Sequence, residues 1–210
     1  MVKVGDLVPV TVIKAMPELT SYLTAIAGTD LMALLPRNHA GMRLRVGDNT
    51  VAAVHSASGT RIFLSQINAF FYRRLTEMLI NPLINEEKVR VVRAASVSGA
   101  GFAKVVVASL DGCNPIDECL PYILGSKQYT NTVISLIKFS EVRDEYVKNS
   151  FAPAPARDVQ EVIHYGDGNL IYVHVSPDKL GLFIGKAGAN VATVSKLLGV
   201  EVRVRVSAPI

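Results

Sequence analysis

"LFIGKAGANV", residues 182–191, is the stretch on which the reading of this chain turns. An apolar run reaches Gly185-Lys186-Ala187-Gly188, and Asn190 with further apolar residues follows at once. Glycine is the poorest helix former after proline, so the pattern breaks an amphipathic helix and restarts it within one turn. Such a break leaves the N–H groups at the start of the second helix pointing outward. Together with the helix dipole they attract a phosphate. Gly185 and Gly188 carry no Cβ, so a foreign backbone can come close. Lys186 adds a charge aimed at phosphates, while Ile184, Val191 and Val194 offer a shallow apolar floor for unstacked bases. A Gly-x-x-Gly turn alone arises often by chance; the surroundings decide.

Those surroundings repeat one order. "DVQEVIHY" and "NLIYVHVS" read as a hairpin around Gly166-Asp167-Gly168, residues 178–184 and 189–198 as two helices, and "VEVRVRVS" as a last strand. Two strands, helix, Gly-x-x-Gly, helix, strand is the order of the KH module, whose loop clamps about four nucleotides of a single strand. "APAPA" (152–156) reads as the linker before it. Further upstream, "VRDEYVKNSF" predicts a short helix and "VISLIKF" a strand, after an irregular region around 121–131. "VRVVRAASV" and "FAKVVVASL" are two strands, and a helix starts at Pro115. Residues 67–80 predict a helix with Ile67, Phe70, Phe71, Leu75, Met78 and Leu79 on its apolar side, ended by Asn81-Pro82. Residues 2–65 hold five β-rich runs between turn residues. Five strands in so short a segment predict a closed barrel, because an open sheet would leave edges unpaired. The expected fold is therefore an α+β multidomain chain. It comprises a five-stranded barrel (1–66), a linker helix with a first α/β unit (67–152) and a second α/β unit of KH order (153–210).

Of 210 residues, 50% are hydrophobic and 19% charged, enough apolar matter for real cores and too much for a disordered chain. The net charge of +4 is thin and spread out: six basic against four acidic residues in 1–65, ten against nine in 66–156, and six against five in 157–210. A polyanionic partner is permitted but not demanded. Cys113 and Cys119 have no histidine near them and cannot make a four-ligand zinc site. The start, "MVKVGDLVPV", carries Lys3 and Asp6 where a signal peptide needs an apolar core, and no uncharged run nears the ~18 residues of a membrane helix. A soluble, reduced protein of the cytoplasm is expected, without membrane, metal or cofactor.

The string "SPDKLGLFIGKAGANVATVSKLLGVEVRV" resembles the last KH domain of the bacterial NusA family, at Pro177, Asp178, Leu180, Leu182, Ile184, Gly185, Lys186, Gly188 and Asn190. Upstream, "VGD" (twice), "LLPRN" and "RIFLS" resemble that family's S-one-type OB-fold domain, "FFYRRL" its joining helix, and "NPIDECL" the entry to its first KH loop. The resemblance covers nearly the whole chain and implies that the barrel is an OB-fold and that both α/β units are type II KH domains, the first following the joining helix. It implies a single-stranded RNA ligand held by Lys179, Ile184, Gly185, Lys186, Ala187, Gly188, Asn190 and Val191.

Three departures qualify it. In "LPYILGSKQYTNTV", Pro121 stands where the first loop glycine belongs and only Gly125 survives, with Lys127 in place of the family's basic residue. Proline beside bulky Tyr122 and Ile123 cannot offer a close backbone approach, so the first KH domain is expected to be a spacer or protein-binding surface. In the barrel, Tyr22 is the one Phe, Tyr or Trp before residue 63; with Arg37, His39 and Arg61 it forms a candidate RNA surface, unless Tyr22 caps the core instead. His55 and His164 read as plain strand residues. The chain also opens on the barrel and carries no acidic repeats after the last strand. A counterpart to NusA's polymerase-gripping domain is therefore not expected, as in the short archaeal KH pairs and the chimallin C type encoded by nucleus-forming jumbo phages.

No Ser/His/Asp or Cys/His set stands at motif spacing, "GLFIGKA" lacks the P-loop serine or threonine, and "GAGFAK" lies between strands. The expectation is a non-enzymatic binder of single-stranded RNA, namely transcripts. A transcription elongation or antitermination factor touching RNA polymerase and a structural protein adaptor are the alternatives.

Overall fold

The structure, a computed structural model, describes residues 2–59 and 61–207. The first five strands, β1 (Leu7–Met16), β2 (Ser21–Ile26), β3 (Met32–Pro36), β4 (Asn49–Ser58) and β5 (Arg61–Ser65), close into a barrel in the order β1-β2-β3-β5-β4. Alternation explains it: Val8, Val10 and Val12 of β1 point inward to meet Leu35, Val54 and Leu64, while Pro9 and Ile13 point out. The five expected strands are all present.

Asn68 then caps α1 (Ala69–Leu79), its side chain accepting from Phe71 N at 2.7 Å. Phe71, Tyr72 and Leu75 are buried, whereas Phe70 and Met78, expected on the apolar side, are exposed. α1 ends just ahead of Asn81-Pro82, as expected, but a new helix begins there at once. A short α2 (Asn81–Asn85) restarts with Pro82 in its first turn, where a missing N–H costs nothing. β6 (Val89–Ser96), β7 (Phe102–Ser109), α3 (Pro115–Ile123) and β8 (Val133–Lys138) complete the first α/β unit. The second unit runs α4 (Arg143–Ser150), β9 (Val159–Tyr165), β10 (Leu170–Val175), α5 (Leu180–Ile184), α6 (Ala189–Leu198) and β11 (Glu201–Val206). Each sheet has three strands, its middle strand antiparallel to the earlier neighbour and parallel to the later one. The fold class is thus the expected one, an OB-fold barrel followed by two α/β units of type II KH order.

Two expectations need correcting. Val147 of α4, Phe151 and Ala154 pack with Val173 and Phe183 in one core, so α4 and "APAPA" lie inside the second unit; the change of core falls ahead of Arg143. In the first unit no Gly-x-x-Gly loop exists to be damaged. Pro121 sits within α3 and Ile123 is 5% exposed in the core, because Cys119 and Ile123, one turn apart, both face inward. A 3₁₀ turn, Leu124–Gln128, replaces the second helix.

The two units share a contact. Ala95, Val106 and Ile137 of the first sheet meet Leu197 of α6, Arg93 Nη1 donates to Leu197 O at 2.7 Å, and Lys196 Nζ donates to Ser96 O at 2.8 Å. β7 is therefore buried on both faces, from Ala103 to Ala108. Among the described residues no helix is long and apolar enough to cross a membrane.

Candidate nucleic-acid interface

The turn between α5 and α6 is built from left-handed backbone. Gly185, Ala187 and Gly188 have φ of +76°, +50° and +76°, so three of its four residues lie where L side chains are strained. The two glycines serve different ends. A Cβ on Gly185 would lie 2.8 Å from Asn190 Cβ and 2.9 Å from Asn190 N, so this glycine lets the two helices close on each other. A Cβ on Gly188 would meet nothing within 4 Å; there the left-handed turn demands glycine, and the space above stays open to a ligand. Gly188 is also the N-cap of α6 and supplies no side chain, so the positive end of the helix faces that space. Lys186 is exposed at the turn and in no ion pair among the described residues. Ala187 is exposed as well, and Lys179, at the start of α5, is half-exposed and 3.4 Å from Asp178.

Asn190 does not belong with the ligand-facing residues. It is 5% exposed, and Nδ2 donates to Leu182 O at 3.2 Å and Phe151 O at 3.3 Å, tying α6 to α5 and to the end of α4. Its Oδ1 is buried without a partner among the described residues. Asn190 holds the turn in shape. Val194 is fully buried in the core and cannot form a floor; Ile184 and Val191 are half-buried beside the turn. Leu182, in the middle of α5, matches the NusA pattern but was not among the expected contacts; its apolar side chain is 47% exposed, and an apolar residue on the solvent side of an amphipathic helix was the available signal.

The barrel candidates are brought together only in part: Arg37 lies over Tyr22, whereas Arg61 stays apart. Tyr22 is 6% exposed and packs in the barrel core, so the core-capping alternative is the one observed. The Arg37 guanidinium sits 5.3 Å from its ring centroid. Arg37 and His39 follow β3 and approach the end of β5, where Gln66 N donates to His39 O at 2.7 Å. Arg61 starts β5. Since β3 and β5 run parallel with Leu34 opposite Phe63, Arg61 lies at the other end of that strand, roughly 17 Å away at 3.3 Å per residue. Burial first, then His55 at 5.5 Å between ring centroids, hold His39 below the ordinary histidine pKa. Phe63 was missed: it points outward on β5 and is partly exposed, which the alternation of "RIFLS" already implied. Lys127 is exposed on the 3₁₀ turn, with no phosphate-binding loop around it.

An OB-fold barrel followed by two α/β units of KH order, the second with an open Gly-x-x-Gly turn at a helix N-terminus, defines a class of modular chain. Residues 143–208 match the family model described as the NusA-like second KH domain. The chain is 26% identical over 147 residues to the transcription termination/antitermination protein NusA of Rickettsia prowazekii and 25% identical over 147 residues to that of Rickettsia conorii. Each alignment covers 67% of this chain, and the chain spans about 29% of the length of either relative. Among solved structures it is similar to the protein designated APE1850, at 21% identity and a TM-score of 0.47, over 66% of this chain and 97% of that one.

Proposed function

We propose that this protein binds single-stranded RNA without catalysing a reaction, holding the RNA backbone at Gly185-Lys186-Ala187-Gly188. The observation that carries this reading is the turn itself: left-handed backbone, open space over Gly188, an uncapped N-terminus of α6 and a Lys186 in no ion pair among the described residues, within the segment matching a NusA-like second KH domain. A phosphate placed there meets a helix dipole, a lysine and no Cβ. Ile184, Val191 and Leu182 provide the apolar border on which bases can lie. Contacts to phosphates and base faces carry little sequence information, so weak sequence preference is expected.

A polarisation titration with single-stranded and duplex RNA tests this, alongside the double substitution Lys186→Asp, Ala187→Asp. Aspartate tolerates the left-handed conformation at 187 better than alanine, so the turn survives while two negative charges occupy the phosphate site. The expected result is a loss of about 2 kcal/mol or more in single-strand affinity at unchanged thermal stability, and a shallow salt dependence equivalent to roughly two to four phosphates. Equal or tighter duplex binding, or an unaffected double variant, would exclude the reading.

A second reading rests on the identity to the two NusA proteins: a transcription elongation or antitermination factor that touches RNA polymerase. Polymerase recovered with this chain after thorough nuclease treatment favours it. Polymerase lost with the RNA favours a free transcript binder.

A further inference from the structure

The sheet of the second unit is covered on one face by α4, α5 and α6; its other face carries a cluster that the clamp does not use. Register places Tyr165 of β9 opposite Leu170 of β10, Tyr172 opposite Arg203 of β11, and His174 opposite Arg205. Residues paired across strands share a face, and Ile171, Val173 and Val202 point the other way into the core. Tyr165, Tyr172 and Arg205 therefore form a diagonal across all three strands on the open face. The Tyr165 and Tyr172 rings meet edge to face with centroids 5.1 Å apart. The Arg205 guanidinium lies 4.1 Å from the Tyr172 centroid, and its Nη2 donates to Tyr172 Oη at 3.1 Å. Arg203 is held by Glu201 at 2.6 Å, whereas Arg205 is in no ion pair among the described residues. Tyr165 is 50% exposed.

We infer that this open face is a second contact for the same single-stranded RNA, with bases stacking on Tyr165 and on the Arg205 plane and a phosphate pairing with the Arg205 charge. The inference rests on the reading of the Gly-x-x-Gly turn given above. Aromatic rings and arginine planes are the surfaces on which unpaired bases stack, and a cation without a carboxylate suits a phosphate. Continuity comes from β11. It is an edge strand, α5 and α6, the two helices that flank the turn, pack on its inner side, and its outer side bears Arg205. RNA leaving Gly188 and crossing that edge reaches Arg205, then Tyr172 and Tyr165. Two strand spacings span about 10 Å, room for roughly three bases at 3.4 Å each.

The test uses the full chain and two single-stranded RNAs, one of about four nucleotides, the reach of the loop, and one about three times longer. With Tyr165→Ser plus Arg205→Gln, affinity for the longer RNA should fall about ten-fold or more while that for the shorter is unchanged. No loss with the longer RNA, or equal loss with both, overturns the inference. A 4-thiouridine version of the longer RNA, photocrosslinked to the unaltered protein, gives an answer independent of any folding defect. Adducts on Tyr165 or Tyr172 are expected. Adducts confined to residues 177–194 overturn the second contact and leave the clamp standing; no binding of either RNA removes both.

Discussion

Asn190 shows how one side chain can lie beside a binding loop and still belong to the core. Its amide reaches two carbonyls, Leu182 O and Phe151 O, and Gly185 is glycine because Asn190 comes so near. Asn190→Ala removes both bonds. Each is worth about 1 kcal/mol, partly offset because the stranded Oδ1 leaves as well. The expected loss of stability is about 1–2 kcal/mol in a urea titration, with a fall in RNA affinity that follows loosening of the turn and leaves the salt dependence unaltered. Full stability with lost affinity would instead put Asn190 against the RNA. The family pattern gives the position of this asparagine, but its burial depends on Phe151, 39 residues earlier, and nothing in the local sequence reveals that partner.

At the scale of elements, the two units contrast in their glycines. Gly125 lies outside the left-handed region and a Cβ there would sit 3.5 Å from Leu79 Cδ2, an ordinary contact. Gly188 is left-handed with open space around it. Gly125→Ala should change stability by no more than about 0.5 kcal/mol and leave RNA binding alone. Gly188→Ala should cost about 1–2 kcal/mol and weaken binding. Thermal melts with a single-strand titration check both, and a large effect at Gly125 would mean that the first unit holds a loop after all. Regular elements were legible because their burial is periodic: five strands, the hairpins and the helices flanking Gly185-Lys186-Ala187-Gly188 all follow from alternation or helical spacing. What was not legible depends on distant packing. Pro121 signals a break, yet α3 continues through it because Cys119 and Ile123 are both drawn into the core. Tyr22 is a barrel core residue for a similar reason. The diagonal of Tyr165, Tyr172 and Arg205 needs the register of three strands and lies beyond any local pattern.

The whole molecule adds a buried charge where its two α/β units meet. Lys104, on the side of β7 that faces the second unit, is fully buried; its amine donates to Ala152 O and lies 5.6 Å from the Phe102 centroid. No carboxylate pairs with it among the described residues, and desolvation lowers its pKa to about 7. In the unfolded chain the amine titrates near the ordinary lysine value of 10.5. Below about pH 7 both states carry the charge and the folded protein bears its full desolvation cost. Between about pH 7 and 10.5 the unfolded state holds more protons, so the contribution of Lys104 to stability rises with pH across that window. Lys104→Met keeps the length and removes the charge, and Ala152 O still accepts from Ser135 Oγ at 3.3 Å. The variant should be more stable than the parent by about 1–4 kcal/mol near pH 6. That gap should shrink toward about pH 9, as chemical denaturation at the two pH values would measure. A variant less stable at both would mean that the lysine holds the two units together through its bond to Ala152 O, outweighing the cost of its burial. The contact between the units would then be a polar latch.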